Sequence, residues 1–231
     1  MGVLKLKLTI AYDGFQYKGW QVQKSGITVQ QKIEEALQKL FPSVDRVHSS
    51  SRTDTGVHAR GMVAHVEIEK DEYRIGELKL RLALNAFLPD DVSVLEVKRV
   101  PANFHARFDA TGKQYRYMIW NHPVSNPLTR HTSWHVSRNL DLADMQKAAN
   151  YFIGKHDFSA FAVKREYEMR STVRVVTNCK FYKKDSMLTC VIEGEGFLYK
   201  MCRGIVGTLI EVGTGKLKPI DIQNILKSCD R

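Results

Sequence analysis

The stretch Leu4-Lys5-Leu6-Lys7-Leu8-Thr9-Ile10 alternates apolar and polar side chains without a break. Period-two alternation sends successive side chains to opposite faces, so the segment reads as a half-buried β-strand with its leucines on a core. Working outward, Thr28-Val29-Gln30-Gln31 fits a capping box, and Val29, Ile33, Ala36, Leu37 and Leu40 then recur at helical spacing. Met62, Ala64, Val66 and Ile68 alternate as a further strand. Residues 75–88 are helix-like, and Pro89-Asp90-Asp91 ends that helix before a strand over 92–100. The second half repeats the mixture, with strands around 113–121, 172–182 and 187–193 and helices over 142–152 and near 198–212. Pro219 sits where a last helix begins, with Ile222, Ile225 and Leu226 inward. Strands segregated from helices at hairpin-like spacing predict an α+β fold: two similar halves, 1–104 and 105–231, sharing a mostly antiparallel sheet. No low-complexity linker separates the halves, and the repeat is architectural, without strong self-similarity of sequence.

Composition narrows the class. Among 231 residues, 43% are hydrophobic and 26% charged, which argues against a disordered or fibrous chain. No uncharged apolar run approaches the roughly 18 residues of a membrane span, and the N-terminus lacks the apolar core of a signal peptide. Cys179, Cys190, Cys202 and Cys229 are scattered with no C-x-x-C pair, so neither a disulfide scaffold nor a cysteine zinc site is expected. The expectation is a reduced, soluble, cytoplasmic protein without membrane or metal partners.

Lys and Arg outnumber Asp and Glu by 35 to 25, a formal charge of +10, and the excess is uneven. Between Lys98 and Arg138, seven basic residues face one acid, Asp109, and are interleaved with Phe104, Phe108, Tyr115, Tyr117, Trp120 and Trp134. Cations mixed with planar rings suit phosphate contacts and base stacking, the footprint of a nucleic-acid binder. The same charge would also serve as a solvated face that keeps the protein soluble.

The most unusual segment is Ser49-Ser50-Ser51-Arg52-Thr53-Asp54-Thr55-Gly56-Val57-His58-Ala59-Arg60, rich in turn formers. Gly56 allows a positive φ beside the Asp54 carboxylate, and cations from Arg52, His58 or Arg60 would favour its ionised form. Taken alone, an Asp-Thr-Gly is more often an Asx-turn in which the carboxylate bonds its own backbone. The same three letters occur in aspartic proteases, where two carboxylates share a proton. This chain has no second D-T-G or D-S-G, and Arg52-Thr53 replaces the apolar strand expected before such an aspartate.

Read as a longer unit, the pattern becomes specific. Tyr12-Asp-Gly-Phe-Gln-Tyr-Lys-Gly-Trp-Gln21, Thr28-Val-Gln30 and Arg52-Thr-Asp-Thr-Gly-Val-His-Ala59 stand in the order seen in the tRNA pseudouridine synthase A family, which the chain resembles. The likeness continues through Phe104-His-Ala-Arg-Phe108, Tyr115-Arg-Tyr117, His156-Asp-Phe-Ser-Ala-Phe161 and Gly196-Phe-Leu-Tyr-Lys-Met-Cys-Arg203, and covers nearly the whole chain. Two departures stand out: Ser51 replaces the usual glycine before Arg52, and the sequence stops at Arg231, before the final Gly-rich loop and strand of relatives.

The resemblance implies a pseudouridine synthase fold with a central active-site cleft, isomerising uridine to pseudouridine in the tRNA anticodon arm. It implies no cofactor, because uracil is both leaving group and incoming nucleophile. This agrees with the absence of a P-loop, a G-x-G-x-x-G and a metal cluster from the sequence. It assigns Asp54 as the essential carboxylate, attacking C1′ or forming a glycal, and Tyr115 as the ring that packs on the target base and assists deprotonation at C5. It assigns Arg203 as the cation paired with the aspartate, Arg52 to displacing the base or holding a phosphate, and Phe197 and Leu198 to pocket wall or core. On spacing, His58 and His65 read as loop and strand residues rather than metal ligands. The resemblance also implies a homodimer with each tRNA spanning both subunits. A catalytically silent RNA-binding relative is the alternative, with a protease further off.

Overall fold

A computed structural model describes residues 2–163 and 171–230. The chain divides into two compact units, Met1–Ala110 and Thr111–Arg231.

In the first unit, β1 (Val3–Tyr12) pairs antiparallel with both β3 (Ala59–Glu69) and β4 (Val92–Val100), and β2 (Val47–Ser49) lines the far edge of β3. The sheet order is β2-β3-β1-β4. The alternation in β1 does what it predicted: Leu6, Leu8 and Ile10 are buried in one apolar cluster with Ile33 and Leu37 of α1 (Val29–Gln38) and Leu80 and Leu84 of α2 (Glu77–Phe87). Burying each of these leucines contributes about 1.5–3 kcal/mol. Thr28 caps α1, its Oγ1 accepting from Gln31 N at 3.4 Å. Gln31 does not reach back to complete the box; its Nε2 donates instead to Glu35 Oε1 at 2.8 Å. Against β3, β1 shifts register between Ile10 and Tyr12, pairing Ile10 with Met62 but Tyr12 with Ala59. Irregularities of this kind bend a strand and re-aim its side chains, and here the bend falls where both strands meet the loops that build the candidate site.

In the second unit, β5 (Lys113–Asn121), β6 (Trp134–Val136), β7 (Gly154–Asp157), β8 (Val173–Lys184) and β9 (Met187–Gly194) are ordered β6-β5-β9-β8-β7. The β5–β6 pair is parallel and the other pairings are antiparallel. Their inward residues share a cluster with Met145 and Ala148 of α3 (Leu142–Asn150), Ile205 and Leu209 of α4 (Met201–Gly213) and Ile222 and Leu226 of α5 (Asp221–Ser228).

The α+β class is as expected. Among the described residues the strands form a four-stranded sheet in the first unit and a five-stranded sheet in the second. Alternation tells that a strand has one buried face; it carries no information on which strand lies beside it. The first compact unit runs to Ala110. The Phe104–Asp109 loop is tied to the first unit, where Lys5 Nζ donates to Phe104 O at 3.0 Å and Ala106 N donates to His65 Nδ1 at 3.1 Å. Arg231, where the sequence stops, lies outside the described residues. Among the described residues, no helix is long and apolar enough to cross a membrane.

Candidate active site

Asp54 lies in the loop between β2 and β3, half-buried, with Arg52 exposed two residues before it. The turn that presents it is closed by backbone: Val57 N donates to Asp54 O at 3.1 Å, and Gly56 takes a φ of +75°. This is not the Asx-turn of the simpler reading, because the main-chain carbonyl, not the carboxylate, closes the turn. Within the first unit, the carboxylate has no hydrogen-bond or ion-pair partner among the described residues, which leaves its oxygens available to a reacting group.

The loop is held on several sides by the segment that follows β1. Trp20 N donates to Thr53 O at 3.1 Å, and Gly56 N donates to Tyr17 O at 3.2 Å. The hydroxyls of Tyr12 and Thr53 are 2.7 Å apart. His58 Nδ1 lies 2.8 Å from Asp13 Oδ1 and 3.2 Å from Gly14 N. A protonated Nδ1 donates to the carboxylate, and an unprotonated one accepts from the amide, so one imidazole nitrogen braces the loop in either state. Gly19 explains why this approach is so close. Its φ is +89°, and a Cβ there would stand 2.5 Å from Thr53 O. The brace itself is anchored: Tyr17, 4% exposed, donates from its hydroxyl to Asp91 Oδ1 at 2.6 Å. Burial, with that bond and the charges of Asp91 and Asp13, pushes the Tyr17 phenol above its ordinary range. Trp20, 1% exposed, seats the segment in the core. Gln30, also buried, accepts from Val22 N at 3.0 Å and donates to Val47 O at 3.2 Å, joining this segment to β2.

These bracing residues (Tyr12, Asp13, Tyr17, Gly19, Trp20) carried no role in the sequence reading beyond their part in the resemblance. The available signal was the density of glycine and aromatic residues between a strand and a capped helix, where a plain connection needs neither.

In the second unit, Tyr115 stands on β5 with its ring edge-on to Phe197, centroids 5.2 Å apart and planes at 84°. Leu198, 6% exposed, belongs to the unit's apolar core, which places it as wall or support. Lys200 then adopts a left-handed φ of +59° and α4 begins. Arg203 lies in the first turn of α4 and is exposed despite its apolar sequence neighbours, because Met201 and Ile205 take the inward positions. The structure thus gathers Arg52 and Asp54 on one loop of the first unit, and Tyr115, Phe197 and Leu198 around one corner of the second. His65, read as a strand residue, lies in β3, buried beside the rings of His48 and His105.

The site is thus an α+β arrangement in which the segment after β1 braces the loop between β2 and β3 that carries Asp54. The comparisons identify its family. The family model described as tRNA pseudouridine synthase matches residues 8–109 and 148–231. The chain is 46% identical over 228 residues to a protein of Ruminiclostridium cellulolyticum named tRNA pseudouridine synthase A, covering 98% of this chain and 91% of that one. It is 44% identical to the protein of that name from Acetivibrio thermocellus, over 98% and 91% of the two chains. A third, from Geotalea daltonii, is 42% identical with the same coverage. This chain belongs to the tRNA pseudouridine synthase family, which sets the protease reading aside.

Proposed function

We infer that this protein isomerises uridine to pseudouridine in the anticodon arm of tRNA, with Asp54 as its essential carboxylate. The observation that carries the reading is family membership over nearly the whole chain, together with a braced loop that leaves the Asp54 carboxylate uncommitted within its unit. The reaction breaks the N1–C1′ bond, turns the uracil and joins its C5 to C1′; the C5 proton then leaves to solvent and N1 takes up one proton in exchange. Atoms balance without a second substrate, so the chemistry calls for no metal, nucleotide or redox cofactor. An ionised aspartate either attacks C1′ or removes a sugar proton to form a glycal.

Extruding the target base costs a few kcal/mol of stacking, which contacts to base and phosphate must offset. In this reading Tyr115, backed by Phe197, packs on the base and assists loss of the C5 proton, and Leu198 supports that wall. Arg203 supplies the positive charge that keeps the aspartate ionised once water is excluded. Arg52, exposed beside Asp54, displaces the base or holds a phosphate. The protein works in the cytoplasm as a homodimer, since one such chain offers little surface for an L-shaped RNA.

The test is incubation with unmodified tRNA carrying tritium at uracil C5, without added cofactor. Release of tritium into water supports the reading. Tight binding without release would make the chain a silent RNA-binding relative.

A further inference from the structure

Planar side chains of the first unit form a column that ends at the surface. His48 stacks on His65 with centroids 5.1 Å apart and planes 19° apart. His105 meets His65 edge-on at 4.7 Å, and Phe108 tilts over His105 at 4.3 Å. The inner member is closed off and the outer one open: His65 is 2% exposed and Phe108 is 76% exposed.

The loop that carries Phe108 is locked. Phe108 N and Asp109 N both donate to His105 O, at 3.1 and 2.9 Å, and His105 N donates back to Asp109 Oδ2 at 2.8 Å. Ala106 N donates inward to the buried His65 Nδ1 at 3.1 Å. The ring is therefore presented by backbone whose conformational freedom is already spent, which lowers the entropic cost of binding something against it. Arg107 holds its guanidinium 5.8 Å from the Phe108 centroid. The neighbouring carboxylate, Asp109, accepts from the His105 amide and so is tied to the loop backbone, while the guanidinium of Arg107 lies beside the ring.

A rigid, solvent-facing ring flanked by a guanidinium fits a flat ligand that carries negative charge next to its plane. A nucleotide with its base unpaired has that form. The chain's formal charge of +10, and the seven cations against one acid between Lys98 and Arg138, favour RNA over an apolar protein surface as the occupant. We propose that Phe108, with Arg107 beside it, is a stacking platform for an unpaired base of the RNA substrate, on a loop separate from that of Asp54. The proposal rests on the RNA-modifying reading above, and adds to it a contact outside the reacting centre.

The experiment measures binding of an unmodified tRNA transcript to the full chain by filter retention across a salt series. It compares wild type with F108A, F108L, F108W and R107A. Stacking of one base against an aromatic ring is worth about 5- to 150-fold in affinity. F108A and F108L should both lose that factor, while F108W, which keeps a planar face, stays within about twofold of wild type. The slope of log affinity against log salt should be unchanged in F108A, which loses no phosphate contact, and shallower by roughly one contact in R107A. Because Phe108 is 76% exposed, its truncation opens no cavity, and melting curves of the variants should superimpose on wild type.

F108L binding as tightly as wild type, or F108W losing as much as F108A, overturns the platform. Unchanged RNA affinity with an altered sedimentation coefficient in F108A would make Phe108 a subunit contact and likewise overturn it. A wild-type chain that fails to bind tRNA overturns this proposal and the proposed function together. A wild type that binds without releasing tritium, with F108A weakened, removes the catalytic reading alone and supports the platform.

Discussion

The Tyr12 hydroxyl stands 2.7 Å from Thr53 Oγ1, so the last residue of β1 shares a hydrogen bond with the residue immediately before Asp54. Tyr12 is 4% exposed and its ring lies 6.0 Å from that of Trp20, so the hydroxyl is a fixed point from which the loop hangs. Tyr12→Phe keeps the ring and removes the fixed point. The expected loss is about 1 kcal/mol of stability. Turnover should fall roughly ten- to a hundredfold with KM little changed, because small misplacements of a reacting group are costly. Steady-state kinetics beside a thermal melt separates the two effects; a variant that melts earlier yet keeps its kcat would show that the bond serves only the fold.

Asp54→Asn removes the charge while leaving the loop's backbone bonds in place. Turnover should vanish, whereas tRNA affinity stays within a few-fold of wild type, since many cations share the phosphate contacts. Tritium release by the purified variant, prepared from a host without its own synthase, is the measurement. Multiple turnovers in that preparation would remove Asp54 from the mechanism.

Gly19 and Gly56 both take a positive φ, +89° and +75°, but their surroundings differ. A Cβ on Gly19 would stand 2.5 Å from Thr53 O, whereas a Cβ on Gly56 would meet nothing within 4 Å. Gly56→Ala should cost only the backbone strain, about 1 kcal/mol. Gly19→Ala adds a clash with the carbonyl beside Asp54, so its cost should reach about 2–4 kcal/mol, combining that strain with a displaced backbone. Urea melts of the two variants give the comparison directly. Equal midpoints would mean that the Asp54 loop can move away from the Tyr12–Gln21 segment without loss.

Long periodic segments were legible without coordinates. The strand at 92–100 and that at 113–121 occupy the stretches expected from the sequence, and Thr28 caps its helix as the sequence suggested. The edge strands Val47–Ser49, Trp134–Val136 and Gly154–Asp157 were not, because three or four residues hold too little of a period to distinguish strand from turn. In the candidate site, Asp54 stood out through its neighbours in sequence, but the brace around it did not. Tyr12, Tyr17 and Trp20 act on residues 53–56 through backbone and hydroxyl contacts spanning more than thirty positions, and no local pattern encodes such a distance. Arg203 shows the opposite limit. The resemblance alone gave it a role, and helical geometry turns Met201 and Ile205 inward and leaves Arg203 exposed.

His65 links the first unit's core to a pH dependence whose sign can be worked out. Burial, reinforced by His105, His48 and Lys5 and opposed by Glu67, lowers its pKa from 6.5 to about 4. The fold selects the neutral imidazole, and neutral Nδ1 is what accepts the Ala106 amide at 3.1 Å. Above pH 6.5 the residue is uncharged in both folded and unfolded chains, and its full contribution is present. Between pH 6.5 and 4 the unfolded chain binds a proton that the native state refuses, so stability falls by about 1.4 kcal/mol per pH unit. Near pH 4 the loss attributable to His65 levels off at about 3 kcal/mol, the product of that slope and the difference between the unfolded and folded pKa values. His65→Asn retains an acceptor for the Ala106 amide and does not titrate. The stability difference between wild type and this variant, read from urea melts at pH 7 and pH 4, should therefore shift by about 3 kcal/mol in the variant's favour on acidification. A difference that stays constant across that range would mean that the native fold accepts a charged imidazole at position 65 and that the column beneath Phe108 is not held by a neutral one.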